Sequence, residues 1–349
     1  MTSNPFGLDI GAKAIKTVWL SQTRQGFILN AALTYPAPAK GILSESPIDQ
    51  EEMVQSIKKV VELTKISTKN VNIALGENQV YTKVVEMPSL SEKELSSAIY
   101  WEAEQYIPVA LSNVTMDWKI LRRSKEDQSE SKMQVLLVGA PNSLVDKYKK
   151  ILSKAGLNPF SVETEILSCV RALTYSPEKN ENTNPPLIVV HMGAVNTSLA
   201  IIKDGILLFT YSVPVGGNAI NRAIADDFGL TIQQAEEYKK VYGVSEKILG
   251  GKISKLTEAI LMSILGEVKK ALAFYSEKYR KETPVRQIVL SGGTAKLPGI
   301  NLFFAKNCGI ETITANPWKI LARQDIPQDM QDCAPDYTVA IGLAMRDYD

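Results

Sequence analysis

The chain carries one Gly-containing strand-turn-strand pattern twice, once in each half. Phe6-Gly-Leu-Asp9-Ile-Gly11-Ala-Lys13-Ala-Ile-Lys16 opens the chain, and Val189-Val-His191-Met-Gly193-Ala-Val-Asn196-Thr197-Ser-Leu opens its second half. In both, an apolar strand enters a tight turn and an alternating strand leaves it. Glycine at such a turn lets backbone amides come close to an anion. Two such hairpins facing each other are suited to gripping a nucleotide's phosphates from both sides. A further strand follows each, Phe27 to Tyr35 after Gly26 and Ile206 to Val213 after Gly205, and an amphipathic helix then completes each half, near Asp49 to Lys65 and Gly217 to Phe228. Period-two alternation giving way to a period of 3.6 predicts a mixed sheet covered by helices, present in duplicate.

Composition agrees and excludes some partners. With 349 residues, 45% of them hydrophobic, the chain can fill two cores and an insertion. The 39 basic residues nearly cancel the 38 acidic ones, leaving a formal charge of +1. That balance leaves no electrostatic footprint for nucleic acid or an anionic membrane. The Met1-Thr-Ser-Asn-Pro start lacks the pattern of a targeting segment, and no apolar stretch approaches the roughly 20 residues that span a bilayer, so a cytoplasmic location is expected. Cys169, Cys308 and Cys333 are odd in number and lack metal-ligand spacing, which suits free thiols. The single His191 makes no zinc site with them.

Boundaries are expected where composition shifts. Ser176 to Pro186 is polar, Asn-rich and ends in prolines, the mark of a connection between the halves. Arg122 to Lys132 is a charged run without an apolar residue and reads as a solvated loop. A segment without counterpart in the second half lies in between. Ser91 and Glu94 form a capping box ahead of a helix in which Leu95, Ile99, Ala103 and Tyr106 recur at three to four residues, and Ile107-Pro108 ends it. Met133 to Ala140 reads as a buried strand and Ser143 to Ala155 as a second amphipathic helix. The expected division is a first half of residues 1–86 with 160–180, an inserted α/β subdomain of 87–159, and a second half of 185–349 with a helical subdomain at about 219–282. Tyr100 and Trp101 fall outside the apolar stripe, and extra aromatics on a short helix can anchor a partner peptide.

Three further groups bear on nucleotide binding. Val215-Gly216-Gly217-Asn218 joins a strand to a helix, where amides and the helix N-terminus can meet phosphate oxygens. Ile288-Val-Leu-Ser-Gly292-Gly293-Thr294 is a buried strand breaking into a double-Gly turn that can pack beside a sugar and base. Glu236 and Lys239 lie three apart on one helix, able to pair with each other or to hold ribose hydroxyls.

In this order the pieces resemble the actin-like ATPase superfamily, whose fold is a duplicated, ribonuclease H-like α/β unit. Within it the chain is similar to the PilM family of type IV pilus assembly proteins, relatives of the division protein FtsA. The closer match rests on Trp101-Glu-Ala-Glu-Gln-Tyr-Ile-Pro108, Val213-Pro-Val-Gly-Gly-Asn218, Leu297-Pro-Gly-Ile300, Ala315-Asn-Pro-Trp318 and Val339-Ala-Ile-Gly-Leu-Ala344. The resemblance implies ATP and Mg2+ as ligands. Asp9 would hold the metal through water. Gly11 and the amides of Ala12 and Lys13 would contact phosphate, with Lys16 at the β- and γ-phosphates. Gly193, Asn196 and Thr197 would face them from the other half. Gly216 and Gly217 would also lie at the phosphates, Glu236 and Lys239 at the ribose, and Gly292, Gly293 and Thr294 beside the adenosine. Glu165 would orient the attacking water.

Two departures from the family pattern matter. Ala12 and Lys13 replace small hydroxyl residues, and His191 replaces an acidic residue that helps organise the metal's water. Phosphoryl transfer depends on positioned metal and water, so binding is expected to survive better than turnover. For His191 two roles stay open, a strand residue with satisfied ring nitrogens or a phosphate contact. The implied partner is the N-terminal cytoplasmic tail of an inner-membrane PilN-type protein, bound in a groove involving the insertion. Through it the chain would reach the pilus assembly platform and its motor ATPases at the inner face of the membrane. Self-association is compatible with the resemblance. An FtsA-like polymerising scaffold is a competing expectation, disfavoured by the short acidic end Ala344 to Asp349. A small-molecule kinase on the same fold is another, disfavoured by the lack of an Asp placed as catalytic base.

Overall fold

A computed structural model describes residues 4–123, 132–175, 185–244, 251–322 and 326–348. Most of the expected loop at 122–132 and most of the expected connection at 176–186 lie outside the described residues; Arg122, Arg123 and Lys132 belong to strands. The first half opens with β1 (Phe6–Ile10), β2 (Ala14–Thr23) and β3 (Gly26–Pro36), followed by α1 (Pro47–Thr64) and β4 (Asn70–Leu75). An excursion follows, β5 (Tyr81–Pro88), α2 (Glu92–Glu104), β6 (Val114–Arg123) and β7 (Lys132–Pro141). The chain then returns through α3 (Asn142–Lys154), β8 (Asn158–Thr164) and α4 (Glu165–Thr174). The second half contains β9 (Leu187–Met192), β10 (Thr197–Lys203), β11 (Ile206–Val213), α5 (Gly217–Phe228), α6 (Ile232–Tyr242) and α7 (Lys252–Lys278). It ends with β12 (Gln287–Ser291), α8 (Ile300–Cys308), β13 (Glu311–Thr314), α9 (Gln328–Asp332) and α10 (Thr338–Met345).

The duplication is visible in the sheets. One runs β3-β2-β1-β4-β8 and the other β11-β10-β9-β12-β13. In each, the first three strands form an antiparallel meander and the last two join parallel to its inner strand. The two parallel additions need crossovers, which the helices supply.

The halves are locked by an exchange of helices. Ile166, Cys169 and Val170 of α4, which ends the first half, pack with Val189, Ala200 and Ile202 of the second sheet. Ala340, Ile341 and Ala344 of α10, which ends the second half, pack with Val18, Leu20 and Phe27 of the first. The two helices also touch each other. At Gly342 a side chain would collide with the Ser168 carbonyl, so only glycine permits the crossing.

The insertion is a separate sheet of order β5-β7-β6. Its central strand is buried on both faces because alternate residues meet different layers. Met133, Val135 and Leu137 pack with Leu95, Ile99 and Ala103 of α2. Leu136 and Val138 face the second half, where Lys278 also pairs with Glu86 at 2.8 Å. The capping box is formed, with Ser91 Oγ accepting from Glu94 N–H and the Glu94 carboxylate accepting from Ser91 N–H. Tyr106 is not part of the core stripe as expected; the helix ends at Glu104, Tyr106 is exposed, and Ile107 is buried instead.

The insertion's limits also differ from the expected 87–159. Its sheet begins at Tyr81 and ends at Pro141. Helix α3 turns Val145, Tyr148, Ile151 and Leu152 toward Met53, Ile57 and Val60 of α1, in the core of the first half. It is the crossover between β4 and β8, and amphipathicity alone does not say which core a helix covers.

Candidate functional site

Both sheets deliver polar residues at the carboxyl ends of their parallel strands, where open α/β sheets place ligands. Asp9 lies near the end of β1, Glu77 two residues past β4, Glu165 directly after β8, His191 near the end of β9 and Gly292 directly after β12. The first hairpin closes through Gly11 N–H to the Ala14 carbonyl at 3.0 Å. Its ladder sets Asp9 opposite Lys16, and Lys16 Nζ donates to Asp9 Oδ2 at 2.9 Å. Burial alone would push the Lys16 ammonium down, but Asp9, Asp336 and Glu165 outweigh it and hold the pKa above its ordinary value.

Glu165 begins α4, whose N-terminus is capped by Thr164 Oγ1. Desolvation, then Asp9 and Glu77, push its carboxyl well above the ordinary carboxylate range and favour its protonated form. Glu77 accepts from Ile166 N–H at 3.3 Å and is itself raised by burial. It thereby holds the first turn of the helix that carries Glu165.

The second hairpin repeats the backbone without the charge. Gly193 N–H donates to the Asn196 carbonyl at 2.9 Å, matching the Gly11 bond. His191 stands where Asp9 does, and burial pushes its imidazole down to about 4, so it is neutral. Its Nδ1 lies 3.1 Å from Ser291 Oγ and 3.4 Å from Cys169 Sγ, so one ring nitrogen is engaged within the protein. Cys169, Cys308 and Cys333 are free thiols.

The glycine turns behave differently from the expectation of open phosphate donors. Gly217 and Asn218 N–H donate to the Gly193 and Ala194 carbonyls at 3.0 and 2.8 Å, so the first amides of α5 close the second hairpin. Thr197 Oγ1 donates to the Val215 carbonyl at 2.7 Å, Asn196 Nδ2 to Ser198 Oγ at 3.3 Å, and Thr294 Oγ1 to the Gly193 carbonyl at 3.3 Å. Gly292, at φ +82°, presses so near the Met192 backbone that a Cβ would stand 2.5 Å from the carbonyl oxygen.

Glu236 and Lys239 part company. Lys239 is buried, donates to the Gly217 carbonyl at 3.2 Å, and is pushed down to about 8 by desolvation. Glu236 instead accepts from Lys13 at 3.3 Å, an ion pair from the first hairpin to the second half, and from Asn221 Nδ2 at 3.3 Å. Ala12 lies in the exposed tip of the first turn beside Lys13. Glu77, Asp336, Ser291 and Cys169 were missed in the sequence. Only Glu77 left a trace there, as an acidic residue just past an apolar strand. No cluster of three or more His, Cys, Asp or Glu that could hold a metal occurs among the described residues.

Paired sheets of one topology, reciprocal helices and facing Gly hairpins define an actin-like protein. The family described as type IV pilus assembly protein PilM matches residues 7–348, and the chain belongs to that family. A solved PilM-PilN type IV pilus biogenesis complex contains a chain 27% identical to this one, with a TM-score of 0.87 and 100% of both chains covered. Cell division protein FtsA of Streptococcus pneumoniae is 25% identical over 337 residues, 84% of this chain and 71% of that protein. FtsA of Neisseria meningitidis is 21% identical over 380 residues, 96% and 88% respectively. MreB5 of Spiroplasma citri bound to ADP shares the fold, with a TM-score of 0.55 at 13% identity over 100% of this chain and 97% of its own. No helix among the described residues is long and apolar enough to cross a membrane.

Proposed function

We propose that this chain binds ATP with Mg2+ between its halves and docks the N-terminal cytoplasmic tail of a PilN-type inner-membrane protein. It thereby sits at the inner face of the membrane within the pilus assembly platform, reaching the motor ATPases through that partner. The observation that carries the reading is the full-length likeness to the chain of the PilM-PilN complex. The Asp9–Lys16 pair of the first hairpin, largely buried, supports the nucleotide part.

The residues fit the metal on one side. Mg2+ takes oxygen ligands and keeps several waters, so one carboxylate with substrate phosphates is an ordinary site for it. Asp9 Oδ1 faces the bare Gly11, where a Cβ would stand 3.9 Å away, while Oδ2 is held by Lys16. His191 offers no oxygen. When bound, the ion would neutralise charge on the phosphates. Lys16 would then meet the β- and γ-phosphates, Lys13 and Glu236 would exchange their mutual pair for phosphate and ribose, and Lys239 keeps α6 against Gly217. The raised pKa of Glu165 makes it a poorer acceptor of a water proton until its surroundings become more positive. Slow turnover follows from the carboxylate missing at His191 and the raised pKa of Glu165.

Calorimetry with a slowly hydrolysed ATP analogue, and then with the partner's tail peptide, tests the reading. Saturable binding of both is expected. Absence of nucleotide heat at millimolar concentration refutes the ATP assignment, and phosphate release at tens per second refutes the slow site. Trp101 and Tyr100 are the most exposed aromatics of the insertion among the described residues, Trp101 at 74%. Trp101→Ala is expected to weaken the peptide about thirtyfold, near 2 kcal/mol, with ATP binding unchanged.

A further inference from the structure

His191 is the single histidine of the chain, and it takes the place in the second hairpin that Asp9 takes in the first. Successive strand residues point to opposite faces of a sheet. Gly7 and Asp9 therefore share one face of the first sheet, and the backbone of α10 lies against Gly7 there. Val189 and His191 share one face of the second sheet, and Val189 packs with Cys169 and Val170 of α4. Because α4 and α10 touch, the two faces look toward each other, with Asp9 and His191 near the carboxyl ends of their strands on either side of the cleft.

The ring is held by one nitrogen. Nδ1 lies 3.1 Å from Ser291 Oγ, on the neighbouring strand, and 3.4 Å from Cys169 Sγ. Ser291 Oγ in turn donates to the Pro335 carbonyl at 3.5 Å. A hydroxyl whose proton is spent on a carbonyl accepts from the imidazole, which puts the ring proton on Nδ1 and the lone pair on Nε2. Nε2 points away from these partners and has no hydrogen bond among the described residues, nor is it one of the partnerless atoms sealed from solvent. His191 keeps 8% of its surface exposed. A histidine fixed through one nitrogen by a hydrogen-bonded neighbour, with the other nitrogen bare, is oriented as metal-ligating histidines are.

We propose that the cleft holds its nucleotide with a nitrogen-accepting divalent ion of the Mn2+ to Zn2+ series in preference to Mg2+, His191 Nε2 and Asp9 Oδ1 being the protein ligands. This rests on the nucleotide-binding reading above. Magnesium takes oxygen and dehydrates reluctantly, so a nitrogen at this position offers it little. Transition ions of the first row accept imidazole beside carboxylate and phosphate oxygen. Asp9 has one oxygen to give, because Oδ2 is engaged by Lys16 while Oδ1 faces the bare Gly11. Phosphate oxygens and water complete such a mixed shell.

The test uses the full chain without a histidine tag, so that His191 is the one imidazole present. Calorimetry with a slowly hydrolysed ATP analogue is run under saturating Mn2+ and then under saturating Mg2+. The unmodified chain is expected to bind the manganese complex about tenfold tighter, and His191→Asp to bring the two within about threefold. Pulsed electron paramagnetic resonance of the bound Mn2+ is expected to show a directly coordinated nitrogen whose signal shifts when the histidine ring carries the heavy nitrogen isotope. Equal binding of the two complexes, a preference that His191→Asp keeps in full, or a bound Mn2+ without coupling to the labelled ring overturns the assignment while leaving nucleotide binding in place. The resonance measurement needs no variant and decides the matter should His191→Asp fail to fold. If the analogue binds with neither ion, the nucleotide reading itself falls and this assignment with it.

Discussion

In the first hairpin Asp9 stands opposite Lys16 across the ladder and meets it at 2.9 Å; in the second, the equivalent rung sets His191 opposite Ser198, and neither carries charge. Both turns close through the same amide-to-carbonyl bond, and both lie at the carboxyl edge of a five-stranded sheet. Backbone plan and chemistry have thus separated within one chain. The charged hairpin holds its ions ready for a ligand, and its turn stays open to Lys13 and Gly11. The neutral one is filled by its own protein, with α5 amides on its carbonyls and Ser291 and Cys169 on its imidazole.

The contrast is broken most directly at its strongest interaction. Lys16→Met strands a buried carboxylate and is expected to cost about 3–5 kcal/mol in urea unfolding, whereas Ser198→Ala on the other hairpin should cost under about 1 kcal/mol. Combining Lys16→Met with Asp9→Asn should return much of the loss. Equal costs for Lys16→Met and Ser198→Ala would erase the distinction between the hairpins.

Proton linkage gives the next effect. Glu165 has its folded pKa raised from 4.5 to about 8, so the native state holds a proton that the unfolded chain releases, and stability falls as pH rises between those values. Glu165→Gln is expected to remove that slope, so that its stability relative to the unmodified protein rises from pH 5 to pH 8. A parallel pair of stability curves for the two proteins would show that the carboxyl is ionised in the fold.

His191 acts in the opposite window. Its folded pKa is lowered from 6.5 to about 4, so stability is full above 6.5 and is lost as pH falls toward 4. His191→Gln should flatten this acid limb, an effect of about 3 kcal/mol measured by melting between pH 7 and pH 4. A retained acid slope would assign it to other groups. The smallest effect belongs to Lys13–Glu236, whose side chains are 47% and 25% exposed. Lys13→Ala should change stability by about 0.5 kcal/mol or less, and less again at high salt, because exposed ion pairs are screened. A loss several times larger would mean that this pair, rather than the crossing of α4 and α10, holds the halves together.

Local pattern carried much of the fold. Alternation of period two marked the strands of both meanders, and the Ser91–Glu94 box and the Gly217 start marked helix N-termini, because each depends on residues within one turn or one hairpin. The candidate site was legible where glycine and charge sat at strand ends, as at Asp9, Lys16 and Gly292. Partners were less legible. Lys239 and Glu236 suggested a pair three residues apart, yet one reaches Gly217 and the other Lys13 on the opposite half.

By itself the sequence determined that two copies of one strand meander would form, where the helices capped at Ser91 and begun at Gly217 start, and which hairpin could hold charge. Tertiary structure alone decided that α3 serves the first core rather than the insertion, that α4 and α10 exchange halves, that His191 is engaged by Cys169 and Ser291, and that Asp336 comes to rest beside Gly293. The physical reason is range. Backbone hydrogen bonds and side-chain periodicity act over a few residues and are written in local order. The face on which an amphipathic helix lands, and the charge that a buried carboxyl meets, depend on surfaces brought together from hundreds of residues away.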